Sequence, residues 1–223
     1  LITSSAASDV YKRQIHVVRA FENDDIVHVS GKVSPIDDIE IINTELILSD
    51  LSIVEKLYQK AQKNTKSGQK EGMPMKELVE KILTALKEGT SLRKLTFGKE
   101  ELVLLKNFQL LTLKPVLYVA NVNESGFENN PHLDLILDYA TQDHSKVVPI
   151  CAEIEAEICE LSNDEKKEFL LEMGQNESGL DRLINAGYDL LGLHTYFTAG
   201  EKEVKAWTIN VGDSAPVAAG KIH

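Results

Sequence analysis

Two short polar runs carry side chains that could meet a ligand. Asn121-Val122-Asn123-Glu124 follows the apolar stretch Val116-Leu117-Tyr118-Val119-Ala120, and Cys151-Ala152-Glu153 follows Val147-Val148-Pro149-Ile150 roughly 30 residues later. A carboxamide such as Asn121 donates and accepts at once, so it can tie two loops together or reach the edge of a base. A carboxylate such as Glu124 only accepts, and it suits a ligand edge that presents paired donors. On residue types alone, Asn121 and Glu124 also read as members of a plain polar turn. A third candidate is His28, in Ile26-Val27-His28-Val29. Its imidazole could orient or polarise a water; without further context it is one polar residue in an apolar run.

These runs need a scaffold. Lys114 to Val122 and Lys146 to Ala152 read as strands, with a helix from Pro131 to Tyr139 between them. Helices from Asn163 to about Met173 and from Gly179 to about Leu191 follow. Strand, helix, strand, helix implies a parallel sheet with crossover helices. Ligands in such sheets sit at the carboxyl ends of the strands, where both polar runs fall. Ile15 to Phe21 reads as another buried strand, and Ser34-Pro35 with Asp37, Asp38 and Glu40 opens a helix. Ile42, Leu46, Ile53, Leu57 and Ala61 recur at helical spacing, as do Met75, Leu78, Val79, Ile82, Leu83 and Leu86. The polar stretch from Lys63 to Gly72 between them predicts the tip of a helical hairpin. A further helical segment runs from Lys99 to Phe108, and Val204 to Val211 reads as a strand.

The net charge of −11 argues against broad adhesion to nucleic acid or acidic membranes. Cys151 and Cys159 have no partner at metal-ligand spacing, and reduced cytosolic thiols are expected. No apolar run approaches the roughly 20 residues that span a bilayer, and a cytoplasmic protein is expected. The first 14 residues share no period with the strand that begins after them. They read as an adapter-derived, non-native tail.

Several blocks, in order, resemble the YchF, or Obg-like ATPase, subfamily of P-loop GTPases. They are Phe21 to Val29, Ile42-Asn43-Thr44-Glu45-Leu46, Phe108 through Asn123, and Gly126-Phe127-Glu128-Asn129-Asn130-Pro131. Thr195 to Gly200 with Glu203 to Thr208 resembles the start of that family's TGS domain. The resemblance implies an α/β fold. A partial P-loop G domain, a parallel sheet with crossover helices, carries an inserted α-helical coiled-coil hairpin and the start of a β-rich TGS domain. The expected divisions are a tail at 1–14, G domain at 15–40 and 113–193, helical insertion at 41–112, and a truncated TGS domain at 194–223.

P-loop GTPases hold the base with an Asn-Lys-x-Asp loop, whose Asp accepts from guanine N1 and N2, and with a Ser-Ala-Lys-like loop. Here the Lys is absent and Glu124 replaces the Asp, so guanine selectivity should be relaxed. Backbone groups of Asn121 and Val122 become candidates to read the 6-amino group of adenine. The expected base-binding set is Asn121, Val122, Glu124, Cys151, Ala152 and Glu153. The resemblance further implies hydrolysis of ATP in preference to GTP, Mg2+ as cofactor, ribosome association, and a catalytic histidine, which maps to His28. No Gly-x-x-x-x-Gly-Lys-Ser/Thr and no Asp-x-x-Gly loop for magnesium occurs in this sequence. The chain as it stands is therefore expected to be an inactive fragment with no metal ligands of its own. The competing expectation is a helical adaptor whose hairpin, Ile42 to Leu86, binds a partner. Lys56, Lys60, Lys63, Lys66 and Lys70 near its tip could meet ribosomal RNA. Neither DNA nor a membrane is expected as a partner.

Overall fold

Val116-Leu117-Tyr118-Val119-Ala120 has no polar face, so as a strand it must be covered on both sides. It forms the core of β2 (Val116–Asn121), which lies between β1 (Gln14–Arg19) and β3 (Lys146–Ile150) in a sheet of parallel strands. Pro149 has no N–H to give, and it is accommodated because β3 is an edge strand. The computed structural model describes residues 14–23, 25–26, 31–66, 73–201 and 203–222. Gln14 pairs with Val116, so it belongs to the sheet rather than to the tail expected at 1–14; the rest of that tail lies outside the described residues.

Helices cover both faces of β2. After β1 come α1 (Pro35–Lys66), α2 (Met73–Lys87) and α3 (Lys99–Lys106); α4 (Pro131–Gln142) separates β2 from β3. Beyond β3 lie α5 (Ala152–Glu160), α6 (Asn163–Glu172) and α7 (Gly179–Leu191). Val116, Tyr118 and Ala120 pack with Ile39 of α1 and Ile136 of α4. Leu117 and Val119 face the other way, onto Leu183, Ala186 and Leu190 of α7. The chain then forms an antiparallel hairpin of β4 (Leu193–Ala199) and β5 (Val204–Asn210), followed by α8 (Ala215–Ala219).

The helical arm departs from its expected pattern. α1 is one unbroken helix, so the expected division at residue 40 falls inside it, and it continues to Lys66 into the stretch expected to form a tip. Its buried face is Ile39, Asn43, Ile47, Asp50, Val54 and Ala61. Ile42 and Ile53, expected on that face, are exposed. The apolar pattern misplaces the face because two of its positions are polar. Asp50 is fully buried and accepts from Leu111 N at 2.8 Å, Thr112 N at 2.7 Å and Thr112 Oγ1 at 2.7 Å. Asn43 accepts from Arg93 Nη2 at 2.8 Å and donates to Tyr139 Oη at 3.1 Å. These bonds make buried polar groups tolerable and lock α1 against the segment that leads into β2.

α5 is absent from the sequence expectation. Cys151-Ala152-Glu153 reads as a loop, but Cys151 is the N-cap of α5 and Glu153 stands in its first turn. Cysteine provides no cap hydrogen bond here, which removes the usual sign of a helix start. Ile154 and Ile158, four apart and both buried, are the signal that could have revealed it.

Candidate functional site

Parallel pairing brings the carboxyl ends of β1, β2 and β3 to one edge of the sheet. Asn121 ends β2, and its Oδ1 accepts from Ala152 N, the first residue of α5, at 3.1 Å. The two polar runs are thus joined by the side chain expected to join them. Backbone bonds extend the junction: Val122 N donates to Ile150 O at 2.9 Å, and Ala20 N donates to Asn121 O at 2.8 Å. The Val122 N–H and the Asn121 carbonyl are therefore already engaged.

The other expected residues take distinct places. Val122 and Cys151 are buried, each 2% exposed, so their side chains serve the core. Glu124 is exposed in the turn after β2, and Glu153 is exposed on α5. Ala152 contributes its N–H to Asn121. His28 lies outside the described residues, as do Lys70 and the side chain of Lys66. Among the described residues, no cluster of His, Cys, Asp and Glu could hold a metal ion.

Four residues outside the expected set shape these loops. Asn130 caps α4, its Oδ1 accepting from His132 N at 3.0 Å and Leu133 N at 3.3 Å. Its Nδ2 donates to Ala20 O at 2.8 Å and Gly126 O at 3.0 Å. Gly126 closes the turn by donating to Asn123 O at 2.9 Å, and a Cβ there would run into Asn123 Oδ1 and Asn130 Nδ2. Glu155 of α5 accepts from Gly179 N at 2.6 Å and Leu180 N at 3.1 Å, which fastens the start of α7 beside β3. Its carboxylate also satisfies the positive end of that helix. Arg19, at the end of β1, donates to the carbonyls of Phe21 at 3.0 Å, Asn23 at 3.2 Å and Ile26 at 3.0 Å. Its guanidinium lies 4.6 Å from the Phe21 ring centroid. The Asn-Pro pair at 130–131 announces a helix start, but nothing in it reveals the two bonds made by Nδ2.

A cleft of about 370 Å³ opens beside these loops, lined among others by Phe21, Glu22, Asn123, Ser125, Glu128 and His132. His132 Nε2 and Glu22 Oε1 are 3.3 Å apart across it.

Known proteins resemble this chain in sequence and fold. Residues 193–223 match the family described as YchF-GTPase_C, protein of unknown function (DUF933). The Ribosome-binding ATPase YchF of Haemophilus influenzae is 55% identical over 208 residues, which cover 93% of this chain and 57% of that protein. The Bacillus subtilis protein of the same name is 49% identical over 211 residues, covering 93% of this chain and 58% of that one. The solved structure of the Schizosaccharomyces pombe YchF GTPase superposes with a TM-score of 0.85 at 32% identity, over 95% of this chain and 58% of that one. The chain thus spans a little over half the length of the relatives it matches.

Proposed function

This chain belongs to the YchF family, and from that premise we propose that it supplies the base-reading part of a nucleotide site in a ribosome-associated P-loop NTPase that hydrolyses ATP in preference to GTP. The observation that carries the reading is the bond from Ala152 N to Asn121 Oδ1, which couples the two strand-end loops as a base-holding pair requires. Glu124 stands in the exposed turn after β2, and in this reading its longer side chain is a poor substitute for Asp against guanine. With the Val122 N–H engaged by Ile150 O, the carbonyls of Asn121 and Val122 are the backbone groups assigned to meet the 6-amino group of adenine. Ala152 and Glu153 stand exposed in the first turn of α5 beside Asn121, with Cys151 buried beneath.

Phosphate binding needs backbone amides and a Lys at a glycine-rich loop, and none of the 223 residues forms that motif. The chain alone should bind ATP weakly and hydrolyse none. Mg2+ accompanies the triphosphate in this chemistry. Base reading by these loops does not depend on the ion. His28 is assigned to orient the attacking water. Lys56, Lys60 and Lys63, exposed on α1, are assigned to ribosomal RNA. No helix among the described residues is long and apolar enough to cross a membrane, and the proposed location is the cytoplasm, with neither membrane nor DNA as partner.

The test is to extend the sequence to the length of its relatives and titrate ATP and GTP while measuring phosphate release. ATP should be turned over at lower concentration. A clear preference for GTP would overturn the reading of Glu124, and undiminished hydrolysis by His28→Ala would remove that residue from the mechanism.

A further inference from the structure

We infer that Asn130 is the positioning residue of the base-reading loop; this rests on the reading that residues 121–124 meet the purine. An N-cap needs only an acceptor, which Asp or Ser provides as well as Asn. At position 130 the carboxamide does more. Its oxygen takes two α4 amides, His132 N and Leu133 N, and its nitrogen spends both protons, on Ala20 O and Gly126 O. All of its hydrogen-bonding capacity apart from the backbone is used.

Those two donor bonds join the exit of β1 to the far side of the turn whose near side is Asn121. Ala20 is held twice, its N–H by Asn121 O and its carbonyl by Asn130 Nδ2. Gly126 is likewise held twice, by Asn123 O and by Asn130 Nδ2. The turn carrying Glu124 is thus pinned at both ends, and Gly126 has no space for a side chain against Asn123 and Asn130. Only Asn meets every demand here. Asp would keep the cap but set a carboxylate against two carbonyl oxygens, and Ser would keep the cap without any amide donors.

This separates a capping role from a positioning role. In the protein extended to the length of its relatives, Asn130→Ser keeps α4 capped and should lose less melting temperature than Asn130→Ala, and Asn130→Asp should melt below Asn130→Ser because its carboxylate meets two carbonyl oxygens. Their KM for ATP should rise about tenfold, the effect of one to two lost hydrogen bonds, with kcat within about twofold. Asn130→Ala should show the same KM and a lower melting temperature. Amide hydrogen exchange gives a second readout independent of turnover. The Gly126 amide, bonded to Asn123 O, should exchange about tenfold faster in Asn130→Ser while the first turn of α4 stays protected. Parent KM together with parent exchange in Asn130→Ser would overturn the proposal. So would a KM change that appears only in Asn130→Ala. If the parent protein does not hydrolyse ATP, the functional reading falls, and the exchange result alone decides the positioning role.

Discussion

Arg93 Nε donates to Asp143 Oδ2 at 2.9 Å, with the two side chains 6% and 0% exposed. Arg93 follows α2 in the helical arm, and Asp143 caps the C-terminus of α4 in the sheet domain. The pair is the root of the arm. Tyr118 Oη and Ser145 Oγ also donate to Asp143 Oδ2, each at 3.1 Å. Burial, then the Asp143 charge, pushes the Tyr118 hydroxyl well above its ordinary range, so it remains a donor. Through Arg93 Nη2 and Asn43, the same network reaches α1.

Removing one member of a buried ion pair strands the other charge, at a cost of about 3–5 kcal/mol. Asp143→Ala should therefore lower the urea midpoint severely, and Arg93→Met should do so less, because Lys94 Nζ stays 3.5 Å from Asp143 Oδ1. The double variant Arg93→Met/Asp143→Leu should recover part of the loss, because the charge it leaves without Asp143, that of Lys94, is half-exposed. Additive losses in the double variant, read by circular dichroism, would show that the pair does not couple arm to sheet.

The same root explains what the sequence disclosed and what it concealed. β2 and β3 were legible because continuous apolar runs bounded by polar turns have few other uses. The tie from Asn121 to Ala152 was legible because a carboxamide at a strand end faces the neighbouring loop. The buried face of α2 was legible, since Leu78, Val79, Ile82, Leu83 and Leu86 are all buried as their spacing predicts, but that of α1 was legible only in part, since Asn43 and Asp50 occupy positions that periodicity assigns to apolar residues. Their partners Arg93 and Thr112 lie about 50 to 60 residues away in sequence, and hydropathy holds no trace of such pairing. α5 was hidden for a local reason, a Cys where Ser or Asp would have announced the cap.

Asp50 offers a test of that concealed polarity. Its carboxylate takes three hydrogen bonds, two of them from backbone amides. Asp50→Leu suits a heptad-like position by hydropathy but leaves Leu111 N and Thr112 N without their acceptor. The expected loss is roughly 3 kcal/mol, from amides left unpaired at about 1–3 kcal/mol each. Equal or greater stability for Asp50→Leu in urea titration would mean that apolar packing alone holds the arm.

His16 makes stability depend on pH. It lies on β1 with its ring 5.7 Å from that of Tyr118. Burial lowers its pKa below the usual 6.5, partly opposed by the Asp38 charge and assisted by that of Arg93. The folded state therefore prefers the neutral ring, whereas the unfolded chain takes up the proton first. The stabilisation is complete above about pH 6.5, diminishes as pH falls below it, and levels off below the folded pKa. Melting temperatures between pH 7.5 and 5.5 should fall for the parent and fall less for His16→Gln. Parallel curves would assign the slope to other groups.

Asn121 has two assigned roles, and two variants separate them. Asn121→Ala removes the acceptor for Ala152 N and leaves the start of α5 held to β2 only by backbone bonds such as that from Val122 N to Ile150 O. In the protein extended to the length of its relatives, KM for ATP should rise about tenfold, the effect of one to two lost hydrogen bonds. Asn121→Asp keeps an acceptor for Ala152 N, with a stronger charge-assisted bond, but has no amide protons to offer a base nitrogen. If Asn121 acts only as the tie between loops, Asn121→Asp should bind ATP as the parent does. If its amide also meets the purine, Asn121→Asp should lose affinity while the Ala152 amide stays as protected from hydrogen exchange as in the parent. The second outcome is expected, because Asn121 is only partly buried, so its amide nitrogen can still reach a ligand while Oδ1 is engaged by Ala152.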